Sequence, residues 1–320
     1  MPSYLITGGA GFIGANLAHA LVARGEPVRI LDDFSTGRAK NLRGIESRIE
    51  LLRGDIRDPA IMARAVQGTE IILHQAALNS NPRSIQEPEA TNAVNVGGTL
   101  LLLEAARAAG VRRVVYASSS SVYGDTPGLP AATQAGLPKT EEMSLSPKAP
   151  YGVSKLAAEY YCRVFTQVYG LETVSLRYFN VFGPRQHPDS EYAAVISRFL
   201  RRMLAGKPPV IYGDGEQSRD FTAVENVVAA NLLAAETAQG IGEVFNIACG
   251  QTSTLNQLAA WLNQMLGTNL SPIYEAPRPA DIQHSYASIL KAEAVLGYRP
   301  SLEVQEGLRR TIQWFKTQEC

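Results

Sequence analysis

Tyr4-Leu5-Ile6-Thr7, followed at once by Gly8-Gly9-Ala10-Gly11-Phe12-Ile13-Gly14, decides how this chain folds. Ser3 to Thr7 reads as a buried strand, and a helical stretch runs from about Asn16 to Arg24. Between them Gly8, Gly11 and Gly14 make a Gly-x-x-Gly-x-x-Gly turn. Glycines permit the tight turn, and bare amides at a helix start can hold a pyrophosphate. A glycine-rich turn alone is a common false positive. Here it follows a strand, opens a helix and leads to a second strand, Val28 to Leu31, ending at Asp32, which is the context the motif needs. Asp32 could accept hydrogen bonds from both ribose hydroxyls of a dinucleotide, and its charge would repel a 2′-phosphate. NAD is therefore favoured over NADP.

Strand and helix signals go on alternating. Glu50 to Arg53 reads as a third strand leading to Gly54-Asp55-Ile56, where Asp55 could reach an adenine edge. Ile71 to His74 is a fourth, ending in Gln75-Ala76-Ala77, small residues that let backbone approach a ligand. One long apolar helix is expected from about Glu89 to Gly110, with Asn95 inside it, then a fifth strand, Val114 to Ala117. Leu171 to Leu176 is a sixth, and Glu243 to Ile247 looks like a strand returning to the sheet. The pattern predicts an α/β protein: a doubly wound parallel sheet of the Rossmann type, with ligands at the carboxyl ends of its strands. The expected boundaries are 1–178 for the dinucleotide-binding domain and 179–320 for a smaller C-terminal substrate lobe.

Bulk properties narrow the classes. The chain has 320 residues, 45% apolar and 19% charged, with a formal net charge of zero. Balanced charge offers no basic stripe for nucleic acid, and no basic amphipathic helix suggests a membrane surface. The longest apolar run, around Leu100 to Ala109, is too short to span a bilayer and is broken by Glu104 and Arg107. Strand-like residues begin at once, so no signal peptide is expected. Cys162, Cys249 and Cys320 are odd in number and have no paired spacing, which fits reduced thiols and a cytoplasmic protein. The histidines, at 19, 74, 187 and 284, are scattered, and no metal site is visible.

The chemistry is expected around Tyr151-Gly152-Val153-Ser154-Lys155. On a helix, a tyrosine and a lysine four residues apart lie on one face. An ammonium beside a phenol favours phenolate, so the tyrosine can take a proton near neutral pH. Alone, such a pair is more often a half-buried tyrosine beside a solvated lysine. Ser118-Ser119-Ser120-Ser121, expected just past a strand end, changes the odds, because a hydroxyl there could share a proton with Tyr151. A serine-rich turn capping a strand is the bland alternative. Residues Asp125 to Ala149 read as a long surface loop.

After the sixth strand the composition changes. Arg177-Tyr178-Phe179-Asn180-Val181-Phe182-Gly183-Pro184-Arg185-Gln186 is dense in aromatics, amides and cations. Tyr212-Gly213-Asp214-Gly215 is a turn, Ser218-Arg219-Asp220-Phe221 follows, and Arg278-Pro279-Ala280-Asp281 stands in a late proline-rich loop. Asn180, Arg219 and Arg278 together suit a phosphate clamp, since guanidinium grips phosphate oxygens bidentately. Each arginine taken singly reads as a surface residue.

With these motifs laid out, the chain resembles the extended short-chain dehydrogenase/reductase family along its whole length. The residues carrying the resemblance are Gly8 to Gly14, Asp32-Asp33, Gly54-Asp55-Ile56, His74 to Ala77, Ser118 to Gly124, Tyr151 to Lys155, Arg177 to Gln186 and Ser218 to Phe221. Within the family it looks like a UDP-hexose 4-epimerase, nearest the branch that acts on UDP-N-acetylhexosamines. The resemblance implies Ser119, Tyr151 and Lys155 as the catalytic set. It implies an NAD site from Gly8, Gly11, Phe12, Ile13, Gly14, Asp32, Asp33, Asp55, Ile56, Gln75, Ala76, Ala77, Asn95 and Tyr178, together with Tyr151 and Lys155. A UDP-sugar would meet Asn79, Ser80, Ser118, Ser119, Ser120, Asn180, Ala194, Val195, Tyr212, Arg219, Arg278, Asp281 and Ser285.

Dehydratases and decarboxylases of the family carry an acid in one or both of the positions after the catalytic hydroxyl. Here those are Ser120 and Ser121. In the family a position seven residues past the late arginine gates bulk at sugar C2. Ser285, the counterpart here, is small, and Ala194 and Ser80 also match the N-acetyl branch. Asn79 stands where that branch usually has glycine, and could crowd the acetyl group or bind it. The family usually dimerises through a four-helix bundle, for which helices near Asn92 to Ala109 and Tyr151 to Tyr169 are the expected elements. Two other readings compete: a net oxidoreductase or dehydratase on a nucleotide sugar, and a catalytically silent NAD-binding regulator.

Overall fold

The computed structural model describes residues 3–124, 137–187, 195–277 and 284–318. Seven strands form its central sheet: β1 (Tyr4–Thr7), β2 (Val28–Asp32), β3 (Ile49–Arg53), β4 (Ile71–His74), β5 (Arg113–Ser119), β6 (Glu172–Tyr178) and β7 (Val244–Ile247). Their order across the sheet is β3-β2-β1-β4-β5-β6-β7, and every pairing is parallel. β1 is the switch point: successive strands are laid down to one side of it, then to the other. In a sheet of this order the ligand crevice lies at that switch point, beyond the carboxyl ends of β1 and β4, which pair in register as far as Thr7 and His74.

Strands buried on both faces need continuous apolar runs. β1, β2 and β4 are buried along their whole length. One face packs under α1 (Phe12–Ala23) and the helix Val224–Glu236, and the other under the helices Pro59–Val66, Thr99–Ala108 and Pro150–Tyr169. A third apolar cluster, from Phe182 to Phe315, joins the helices Val195–Leu204, Leu255–Leu266 and Val304–Gln318. Short strands stitch this region together. Val181–Phe182 pairs with Thr222–Ala223, and Ser218–Arg219 lies between Ser253–Thr254 and His284–Ser285.

Two expectations change. The single helix expected from Glu89 to Gly110 is interrupted: an α-turn, Pro88–Asn92, passes into a π-helical segment, Ala93–Gly98, before Thr99–Ala108 resumes. And β5 runs two residues beyond Ala117, so Ser118 and Ser119 lie inside the strand and not in the turn after it. Successive strand residues face opposite ways, which splits the serine cluster between the two faces of the sheet.

Candidate active site

The turn after β1 is closed tightly. Gly8 has φ +67, and a Cβ there would lie 2.8 Å from the backbone of Ala76. At Gly14 a Cβ would press into the carbonyl oxygen of Gly8, so the helix can start this close to the turn only without a side chain. α1 has no side-chain cap and no acid in its first turn. The first amides of such a helix favour an anion. At the end of β2, Asp32 is buried; its two oxygens accept the amides of Ala10 and Phe34 at 2.8 Å each. Burial raises its pKa, and those two amides pull it back. Asp33 turns to Ser35, and Asp55 is held in a two-pronged ion pair with Arg57 that depresses its pKa. A glycine cradle at a helix start, with a carboxylate at the next strand end, fits a dinucleotide's pyrophosphate and ribose.

Beyond β4 a one-way chain of hydrogen bonds crosses the crevice. The Ala76 amide donates to Thr7 Oγ1, 2.6 Å from His74 Nδ1; His74 Nε2 is 2.9 Å from Thr99 Oγ1, which donates to the carbonyl of Asn95. Because Thr99 gives its proton to Asn95, His74 carries its own proton on Nε2 and accepts from Thr7 on Nδ1. Burial, aided by Lys155, lowers the His74 pKa to about 3, so the ring stays neutral. Gln75 turns to Tyr178, whose hydroxyl accepts from Asn231 Nδ2 at 2.8 Å. Asn231 also faces Gln75, yet no local sequence signal singles it out.

The helix Pro150–Tyr169 begins with proline at its first position and ends on Gly170 in the left-handed conformation, φ 74. Those signals fix the register of Tyr151, Lys155 and Glu159, one turn apart on one face. Tyr151 is half-buried and hydrogen-bonded to the Ser119 side chain. Ser119 Oγ also accepts the amide of Ser121. Lys155 is buried; its Nζ donates to the carbonyl of Ala117 at 2.7 Å and lies 5.9 Å from the Tyr151 ring centroid. Burial pulls its pKa down to about 7, with Glu159 opposing. For Tyr151, burial raises the pKa and the Ser119 hydrogen bond lowers it.

Other expected residues sort as follows. Ser118, expected to meet the substrate, is 3% exposed, and its hydroxyl donates to Glu159. Asn95 is 1% exposed, and its amide is spent on Leu78 N, Leu78 O and Ser154 Oγ, so it ties the crevice loop to the tyrosine's helix. Ser80 caps the helix Asn81–Gln86 through the Arg83 amide, with Asn79 beside it. Phe12 and Ile13 form the first turn of α1, while Ile56 packs into the core beside Gly98. Ala77 follows the crevice strand and Ser120 begins the short 3₁₀ turn after β5. Past β6, Asn180 (φ 34) donates to the carbonyl of Asp220, and Ser285 lies in register beside Arg219. Val195 opens its helix and Tyr212 ends a short strand. Ala194, Arg278 and Asp281 lie outside the described residues, as does the loop tip from 131 to 136. Asp220, missed from sequence, is fully buried and accepts the amides of Cys249, Gly250 and Ala287, tying the Arg219 strand to neighbouring turns.

Fold and site together define an NAD-binding enzyme of the Rossmann type with a serine, tyrosine and lysine set above the dinucleotide crevice. The model of the NAD dependent epimerase/dehydratase family matches residues 4–248. The chain is 37% identical over 316 residues to a UDP-glucose 4-epimerase of Mycolicibacterium smegmatis, covering 98% of both. Among solved structures it superposes, with TM-score 0.92 and 37% identity, on a UDP-N-acetylglucosamine 4-epimerase from Methanobrevibacter ruminantium in complex with UDP-N-acetylmuramic acid, covering 99% of each chain. A Thermus thermophilus UDP-glucose 4-epimerase in complex with NAD gives TM-score 0.87 at 36% identity, covering 98% of each. This chain belongs to the NAD-dependent epimerase/dehydratase family. NAD is its cofactor.

No helix of the described residues is long and apolar enough to cross a membrane.

Proposed function

We propose that this enzyme inverts C4 of UDP-linked hexoses, interconverting UDP-GlcNAc with UDP-GalNAc and also accepting UDP-Glc and UDP-Gal. One observation carries the reading. The Ser119–Tyr151 pair is flanked by Ser120 and Ser121, where eliminating relatives carry acids. Glu159, two turns further along the tyrosine's helix, is buried and tied to Arg177. Without a carboxyl group at those two positions, loss of water is not promoted and oxidation at C4 can simply be reversed.

NAD, when bound, takes the C4 hydrogen as hydride and gives it back. Tyr151 removes and returns the proton of the 4-hydroxyl, and Ser119, hydrogen-bonded to Tyr151, orients that oxygen. Lys155, held against Ala117 by its 2.7 Å bond, fixes its amino group beneath the tyrosine. Asn180 and Arg219 hold the diphosphate, so that the sugar can turn over while its nucleotide stays fixed. Ser285, small and in register with Arg219, leaves room for an acetamido group at C2. The test is product analysis with purified protein: both UDP-GlcNAc and UDP-Glc should give their C4 epimers, whereas a product lighter by water would sink the reading.

The same reading includes a two-fold homodimer. Val153, Tyr161, Val164 and Val168 lie along one exposed stripe of the helix Pro150–Tyr169, at 54%, 37%, 43% and 65% exposure. Apolar residues at that spacing make a helix-packing seam. Light scattering should give the mass of two chains; a single-chain mass at working concentration contradicts it.

A further inference from the structure

The loop after β6 crosses to α1 and is fastened there. Asn16, in the second turn of α1, donates to the carbonyls of Phe12, at 2.8 Å, and Pro184, at 3.0 Å, and accepts Arg185 Nη1 at 2.8 Å. Its carboxamide is thereby used at both ends, and it joins the helix that begins at the glycine cradle to a loop of the smaller lobe. Arg185 sits at φ 71, a left-handed backbone that a non-glycine residue adopts only where its surroundings impose it.

The charge at this place is unusual. Arg185 is half-buried, and its described hydrogen bond goes to an amide oxygen, not to a carboxylate. Burial lowers its pKa, with Glu225 opposing, and its charge helps burial to lower that of His19. α1 has no acid in its first turn, so the positive end of the helix adds to the cation instead of offsetting it. A guanidinium mounted this way, one turn from the first amides of the helix, is stabilised when an anion joins it.

We propose that Arg185, mounted on Asn16, is a cofactor-retaining latch: it fastens the smaller lobe to α1 and supplies the charge that keeps the NAD diphosphate in the glycine cradle between turnovers. Arg185 is a positioning residue in this role, and nothing in the chemical step passes through it. The role rests on NAD as the cofactor and on its expected place at the glycine cradle, and stands whichever UDP-sugar is the substrate.

The experiment measures NAD, not turnover. Protein loaded with NAD is passed into cofactor-free buffer and released NAD is followed over time, for the unaltered chain and for Arg185→Ala, Arg185→Lys and Asn16→Ala. Arg185→Ala should release NAD faster by on the order of tenfold or more, the scale of one charge-assisted hydrogen bond. Arg185→Lys should fall between, and Asn16→Ala should accelerate release although the arginine remains. The gap between Arg185→Ala and the unaltered chain should narrow as salt rises. A purely structural role would lower the melting temperature even with saturating NAD and leave release salt-independent. Release from Arg185→Ala at the rate of the unaltered chain overturns the proposal. If Arg185→Ala does not fold, the same rate measured for both Arg185→Lys and Asn16→Ala overturns it equally.

Discussion

Replacing Tyr151 with phenylalanine should slow turnover by about 10²- to 10⁴-fold, the contribution of a positioned proton-transfer group, while bound NAD is retained. The substitution removes one oxygen and keeps the ring. The helix register set by Pro150 and Gly170 is unchanged, and so is the contact face toward Lys155. What is lost is the acceptor for the 4-hydroxyl proton and the hydrogen bond to Ser119. The cradle at Gly8 to Gly14 and the carboxylate of Asp32 are untouched, so cofactor content, read from the absorbance of the purified protein, should match that of the unaltered chain. Activity within tenfold of the unaltered enzyme would remove Tyr151 from the proton path.

Replacing Arg177 with methionine should cost about 3–5 kcal/mol of stability, the scale for orphaning one partner of a buried ion pair. Arg177 and Glu159 are each 3% exposed at the side chain. The guanidinium meets both carboxylate oxygens, at 2.9 and 2.8 Å, and also donates to Tyr123 Oη at 2.8 Å. Tyr123 Oη in turn donates to Asn246 at 2.6 Å, and Ser118 is bonded to the same carboxylate. The network therefore joins β5, β6, β7 and the tyrosine's helix. Without the arginine, Glu159 is left as a buried, uncompensated charge, and that desolvation outweighs the apolar area gained from methionine. The double replacement Arg177→Met with Glu159→Leu removes the orphan as well as the pair, and should recover much of the loss. Urea denaturation midpoints of the three proteins decide it. A single variant within about 1 kcal/mol of the unaltered chain would mean that water reaches this pair.

The glycine turn, Asp32 and the β-α alternation were legible because each depends on local spacing. Glycine at 14 is imposed by the backbone of Gly8 and Gly9, glycine at 8 by its own left-handed turn as well as by distant Ala76, and the strands declare themselves as short apolar runs. The tyrosine and lysine were legible for the same reason, one helical turn apart. Residues whose partners lie far along the chain were not. Asn231 meets Tyr178 across 53 positions, and Asp220 meets the Cys249 amide across 29. Nothing near either residue advertises the contact.

The errors have identifiable sources. Reading β5 as ending at Ala117 left all four serines in one turn, whereas two more strand residues send Ser118 and Ser119 to opposite faces. Asn95 was placed on an unbroken helix; the π-helical segment Ala93–Gly98 shifts the register there, and the amide meets Leu78 and Ser154. Glu159 carried a signal that was available, since it continues the row of Tyr151 and Lys155 by one more turn.

The central claim is that hydrogen leaves sugar C4 and returns to the same carbon on its other face, with no proton exchanged from water at carbon. Turnover of UDP-GlcNAc in heavy water, with the product read by mass and by proton NMR, tests it most directly. The account predicts an equilibrium mixture of C4 epimers with no deuterium bound to carbon. Deuterium at C5, or a product lacking the elements of water, would contradict it.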